Sequence, residues 1–308
     1  MRADWVAASA RARSMALRRI GAGASREVAA QQTLAAALTG LEGSSYAQRL
    51  GSVAGLGAAE RAVKETVLWQ LRVLAGWLPA SGTGLARAAA GIFEIENIVA
   101  LARELSGGAK APAPYQLGTL ATAWPRLRTA RASDELSSIL AATAWGDVGA
   151  GGPGLLRDAL NISWLRRLAD LAPAARAWCG AASVLTAARI LLLDGDAPSP
   201  RMLHLLRPVL GSAWESTTTL DAFTAAIPSS LREVLEGIAS TKDLWRAEAR
   251  AYASAEKDGF RLLGSAMPGP DVVLGAIAVL SLDAWRLRAA LTAAAAGTGP
   301  SEVLDAAA

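Results

Sequence analysis

Eight residues in this chain combine a charged or amide side chain with apolar helical surroundings. Glu94, Glu96, Asn97 and Arg103 lie in IFEIENIVALARELSGG (92–108), Arg189 lies in SVLTAARILLLDG (183–195), and Asp283, Arg286 and Arg288 lie in VLSLDAWRLRAAL (279–291). Charges taken out of water cost several kcal/mol each unless they are paired. The chemistry open to such groups is therefore pairing and recognition. Asp283 and Arg286 stand at i,i+3, a spacing at which they can neutralise one another on a helix surface. The apolar run Val272 to Leu282, and the same arginine placement in three helices, weigh equally for a second reading, a polar centre where units meet or a socket for a partner.

Catalytic constellations find little material. The single histidine, His204, sits at helical spacing in RMLHLLRPVL, and the single cysteine, Cys179, between Trp178 and Gly180, reads as a small core residue. One cysteine excludes an internal disulfide, and with one histidine the chain holds no zinc or iron set of the usual kind. There is no GxxxxGK[ST] loop. The glycine-rich stretch Gly146 to Gly154 lacks a following lysine and reads as a connector. No paired-aspartate helix motif for magnesium occurs. No cofactor and no metal are expected, and no enzyme activity; a helical enzyme with an unrecognised polar pocket is the least favoured reading.

The elements that must position these residues are helices. Ile92, Ile95, Ile98, Val99, Ala102 and Leu105 fall on one stripe, with Phe93 and Leu101 off it, so the helix is packed on more than one side. Gly107 and Gly108 supply its stop. Arg103, Arg189 and Arg288 are 86 and 99 residues apart, which reads as a repeat. Two echoes run in the same order. One is tryptophan with arginine nearby at Trp69, Trp164 and Trp245. The other is Leu41/Tyr46/Leu50, Leu120/Trp124/Leu127 and Leu220/Phe223/Ile227. Glycine-proline linkers at 106–114 and 195–200 divide the chain into helical units over 1–110, 111–200 and 201–308, the last with a short, loose tail after Gly297. Within them, helices are expected over Trp5 to Ile20 (stopped by Gly21 and Gly23), Arg26 to Leu41, Glu60 to Leu78, Leu155 to Leu171 and Thr241 to Phe260, with a further start at Leu231.

Composition agrees with an all-α chain: 52% of the 308 residues are apolar and 5% aromatic, with alanine throughout. A net charge of +4 is too dispersed for a nucleic-acid face. No apolar run reaches the roughly 18 residues that span a bilayer, and charged Asp4, Arg11, Arg13, Arg18 and Arg19 replace any signal-peptide core. A cytoplasmic chain, not itself embedded, is expected.

ARARSMALRR (10–19), LEGSSYAQRL (41–50), FEIENIVALAREL (93–105) and LDAWRLRAAL (282–291) together resemble the family of C-type subunits of prokaryotic V-type ATPases, to which the d-type subunit of the eukaryotic V-ATPases also belongs. The resemblance runs through essentially the whole chain. It implies three similar helical bundles around a pseudo-threefold axis, shaped like a funnel. It implies a non-catalytic rotor component, peripheral on the cytoplasmic face of the cell membrane, joining the central-stalk subunits to the proteolipid ring of a proton- or sodium-translocating ATPase, with no nucleic acid bound and no direct membrane insertion. The family's acidic-Asn…Arg pattern falls on Glu94, Glu96, Asn97 and Arg103, and its closing pattern on Asp283, Leu287 and Arg288. Trp5 can fill the place of its leading aromatic. The middle unit departs, with Leu185 and Thr186 where an acid would help. The rival reading is a helical scaffold or adaptor unrelated to ATPases.

Overall fold

The computed structural model describes residues 3–149 and 152–299; residues 300–308, most of the expected tail, and two residues of the glycine-rich connector lie outside the described residues. Among the described residues all regular structure is helical. The α-helices are α1 (Val6–Ala16), α2 (Gly21–Ala29), α3 (Leu34–Thr39), α4 (Ala47–Leu50), α5 (Leu56–Ala75), α6 (Thr83–Leu105), α7 (Trp124–Leu127), α8 (Ser133–Ala141), α9 (Pro153–Leu171), α10 (Arg176–Ala188), α11 (Pro200–Leu210), α12 (Leu220–Ala226), α13 (Leu244–Leu263) and α14 (Pro270–Ala296). Short 3-10 turns and one π turn, Arg189–Leu193, join them.

The chain forms two compact units. One comprises Met1–Ala86 with Ala249–Ala308, the other Arg87–Glu248. Both expected linkers, 106–114 and 195–200, fall inside the second unit, while the first unit brings α14 together with α1, α2, α3 and α5. The physical reason is α14. Its residues Val272, Val273, Leu274, Ala276, Ile277, Val279 and Leu280 are buried around the whole helix circumference, so it needs neighbours on every side. α1, α2, α3 and α5 supply them. Each large apolar side chain so buried contributes about 1.5–3 kcal/mol.

Glycine sets the closest approach in this unit. A Cβ on Gly275 would lie 2.5 Å from the Gly259 carbonyl oxygen of α13 and 2.9 Å from the Leu263 amide nitrogen, distances that only a residue without a side chain permits. In the second unit α9, α10 and α11 pack on one another. There Gly91 of α6 receives the indole of Trp164, whose Nε1 donates to the Ala88 carbonyl at 2.7 Å.

Several helices depart from their expected lengths. The first ends at Ala16, not Ile20, and Gly21, at φ +80°, opens α2 rather than closing α1. The segment expected as one helix over 26–41 breaks after Ala29 and restarts at Thr33, whose hydroxyl accepts from the Ala36 amide. The start expected at Leu231 is a 3-10 segment, Ser229–Leu235. Pro173–Leu193 is helical and, by length and composition, apolar enough to cross a membrane. The count of uninterrupted apolar residues misses it because Arg176 and Arg189 interrupt it. In the fold its α10 packs against α9 and α11.

Candidate functional site

Asp283 and Glu94 are both fully buried carboxylates, at 0% exposure, and both hold backbone amides at a helix start. Asp283 Oδ1 accepts from the Gly21 amide at 2.7 Å and Oδ2 from the Ile20 amide at 3.0 Å, while the Tyr46 hydroxyl donates to Oδ2 at 3.0 Å. Glu94 accepts from Thr122 at 3.1 Å, from Ala123 at 2.6 Å and from Trp124, at the entry to α7. A carboxylate at a helix N-terminus meets orphan N–H donors and the positive end of the dipole, so burial is offset by charge-assisted hydrogen bonds.

The recurrence extends downstream of each joint. Ser44 Oγ donates to the Leu41 carbonyl and accepts from the Tyr46 amide, at 2.7 and 3.2 Å. Thr143 Oγ1 donates to the Leu140 carbonyl and accepts from the Trp145 amide, at 2.8 and 3.2 Å. Tyr46 and Trp145 follow as buried rings. Burial, then the Asp283 charge and its hydrogen bond, push the Tyr46 hydroxyl well above its ordinary pKa. Trp145 has Arg167 above its ring at 5.0 Å. Burial pulls the Arg167 pKa down, partly offset by Glu94.

Asn97, one turn beyond Glu94, is buried and locks the chain after the first linker. Its Nδ2 donates to the Tyr115 carbonyl at 3.0 Å and its Oδ1 accepts from the Tyr115 amide at 2.7 Å. Tyr115 in turn packs edge-on against Phe93, with centroids 5.4 Å apart. Arg286 is buried and held two-pronged by Glu256 of α13, at 3.0 and 2.7 Å. Four of the eight expected partner-binding residues, Glu94, Asn97, Asp283 and Arg286, thus use hydrogen-bonding capacity inside their own unit.

The remaining four are nearer to solvent. Glu96 is half-buried, and Arg103 is exposed at the C-terminal turn of α6. Arg189, half-buried, donates to Asp158 at 2.7 Å and to Asp194 at 2.6 Å. Burial lowers its pKa, but the two aspartates outweigh that and raise it overall. Arg288 Nη2 stands 3.9 Å from Glu60 Oε1. Glu96, Arg103 and Arg189 belong to the second unit and Asp283, Arg286 and Arg288 to the first. Thr186, at the acid's place in the middle helix, turns its hydroxyl back onto the Ala182 carbonyl.

His204 is exposed on α11, and Cys179 is buried, which pushes its thiol up to about 12. A cavity of about 740 Å³ in the first unit, lined by Arg11, Arg18, Arg19, Arg49, Ser45 and Gln70 among others, was not anticipated from the sequence. The N-terminal run of Arg11, Arg18 and Arg19 was its visible signal; the turn and α5 residues that complete it carried none. No protein-family model matches this chain, and no curated protein matches it.

Proposed function

We propose that this chain is a non-catalytic rotor component that couples the central stalk to the proteolipid ring of a V-type proton- or sodium-translocating ATPase, at the cytoplasmic face of the membrane. One observation carries the reading. Glu94 stands on the helix that ends the first expected unit and holds the start of the second, Thr122 to Trp124. Asp283 stands on the helix that ends the third and holds the start of the first, Ile20 and Gly21. Each joint lies inside one compact unit. The same device, a buried carboxylate on a long apolar helix holding the first amides of a short one, thus occurs once in each unit. That recurrence supports the repeated helical design that the family resemblance implies. The two joints use the same residues that carry the resemblance.

A rotor coupler must transmit torque with little internal give. Close-packed helices locked by buried carboxylates suit that task, because packed interiors have low compressibility. Glu96, Arg103, Arg189 and Arg288 are the expected partner contacts, since each keeps some solvent access. The test is co-expression with the central-stalk and proteolipid subunits of the same organism. The coupler reading expects the chain to co-purify with both at fixed stoichiometry. A chain that co-purifies with neither is a scaffold or adaptor of another system.

A further inference from the structure

The first unit contains a cavity of about 740 Å³ built by α1, α2, the turn after α3 and α5, and its lining is unusual in what it leaves unpaired. Arg11, Arg18, Arg19 and Arg49 face it against one acid, Glu27. Arg49 is 3.5 Å from Glu65, and Arg19 lies over the Phe260 ring, but Arg11 Nε is buried without a hydrogen-bond partner. Two uncharged groups on the same wall are in the same state. Gln70, only 4% exposed, has an Oε1 with no partner, and so does the hydroxyl of Ser45. Buried polar atoms left unsatisfied carry a desolvation cost that a ligand can remove.

The mix of groups specifies the ligand. Guanidinium groups match the oxygens of phosphate through paired N–H donors. Gln70 Oε1 is an acceptor and needs a donor. The inorganic phosphate dianion has only its single P–O–H to give, at the cost of one oxygen facing the arginines. A hydroxyl or amino group on a carbon skeleton reaches Gln70 with the phosphate left on the guanidinium groups. Met15, Val28, Leu41 and the half-exposed Trp69 supply apolar wall for a carbon skeleton. The volume lies within the roughly 300–1,000 Å³ usual for small-molecule sites. We propose that this cavity binds an organic phosphate bearing a hydroxyl or amino group, with the phosphate on the arginines and the donor on Gln70. A soluble phosphate ester and a phosphoglycerol lipid headgroup share this chemistry. The inference stands independently of the coupling role.

The full chain is titrated calorimetrically with inorganic phosphate, glycerol 3-phosphate and adenosine monophosphate. It is also floated with phosphatidylcholine vesicles with and without phosphatidylglycerol. Binding at one site, about tenfold tighter for a hydroxyl-bearing phosphate than for inorganic phosphate, is expected. The exposed substitution Arg18→Ala should weaken every probe that binds, and Gln70→Leu should erase the preference over inorganic phosphate. Flotation only with phosphatidylglycerol, without binding of soluble esters, identifies the lipid as the source. Should Gln70→Leu unfold, probe preference and Arg18→Ala decide. No binding by any probe, equal binding of inorganic phosphate, or indifference to Arg18→Ala overturns the proposal.

Discussion

The Asp283 carboxylate accepts a hydrogen bond from the Gly21 amide at 2.7 Å, across 262 residues of sequence. This bond fixes where α2 begins and, with its companions at Ile20 and Tyr46, ties the last long helix to the first turn of the chain. Removing the acceptor leaves two amides and a hydroxyl unsatisfied. Asp283→Ala is expected to lower unfolding free energy by about 3–5 kcal/mol, since each buried donor left unsatisfied costs about 1–3 kcal/mol. Asp283→Asn keeps one acceptor oxygen and should cost less than the alanine variant. Denaturant unfolding of both variants checks the order. Equal, small losses would show that the bond carries little.

Tyr46 predicts a pH dependence. Its folded pKa is raised, so the folded state keeps a proton that the unfolded chain loses above about pH 10. The stabilisation is present below that pH and declines as pH rises toward the folded value, by about 1.4 kcal/mol per pH unit while only the unfolded tyrosine is ionised. Stability measured from about pH 9 upward should fall more steeply in the parent than in Tyr46→Phe, which has no group to titrate there. Parallel curves would remove Tyr46 from the account.

Close packing at Gly275 makes a third prediction. A methyl group there would meet backbone atoms of Gly259 and Leu263 at 2.5 and 2.9 Å, and backbone cannot swing aside like a side-chain tip. Gly275→Ala should destabilise by about 1–3 kcal/mol or more despite alanine's better helix propensity. Gly57, in α5, has open space around its Cβ position, so Gly57→Ala should be neutral or mildly stabilising. Thermal melts of the two variants separate the packing effect from propensity.

The helices were legible because hydrophobic periodicity and glycine-proline punctuation are local signals. α6 ends at Leu105, before Gly107 at φ +83°, where the sequence places its glycine stop, and α14 opens at Pro270, a residue suited to the first turn of a helix. Glu94 and Asp283 stood out because acids in apolar helices need compensation. Their partners were hidden, since backbone amides have no residue identity and lie 28–30 and 262–263 residues away. For the same reason, the early break of α1 and the packing of α14 against α1 and α2 escaped a reading by local pattern. The tryptophan echo did not mark equivalent sites. Trp69 lines the arginine cavity, Trp164 caps a carbonyl, and Trp245 lies 5.1 Å from the Arg246 guanidinium.

The central claim is that this chain grips a rotor stalk, and Arg288→Glu tests it most directly. Arg288 is 30% exposed and only 3.9 Å from Glu60, a contact worth about 0–1 kcal/mol at such exposure. Charge reversal should therefore leave the fold largely intact. Affinity for the central-stalk subunits and the unfolding midpoint are measured on the parent and on this variant. The account predicts saturable stalk binding by the parent, weakened about tenfold or more in Arg288→Glu, with little change in midpoint. A parent that does not bind the stalk, or a stable variant that binds as tightly as the parent, contradicts it.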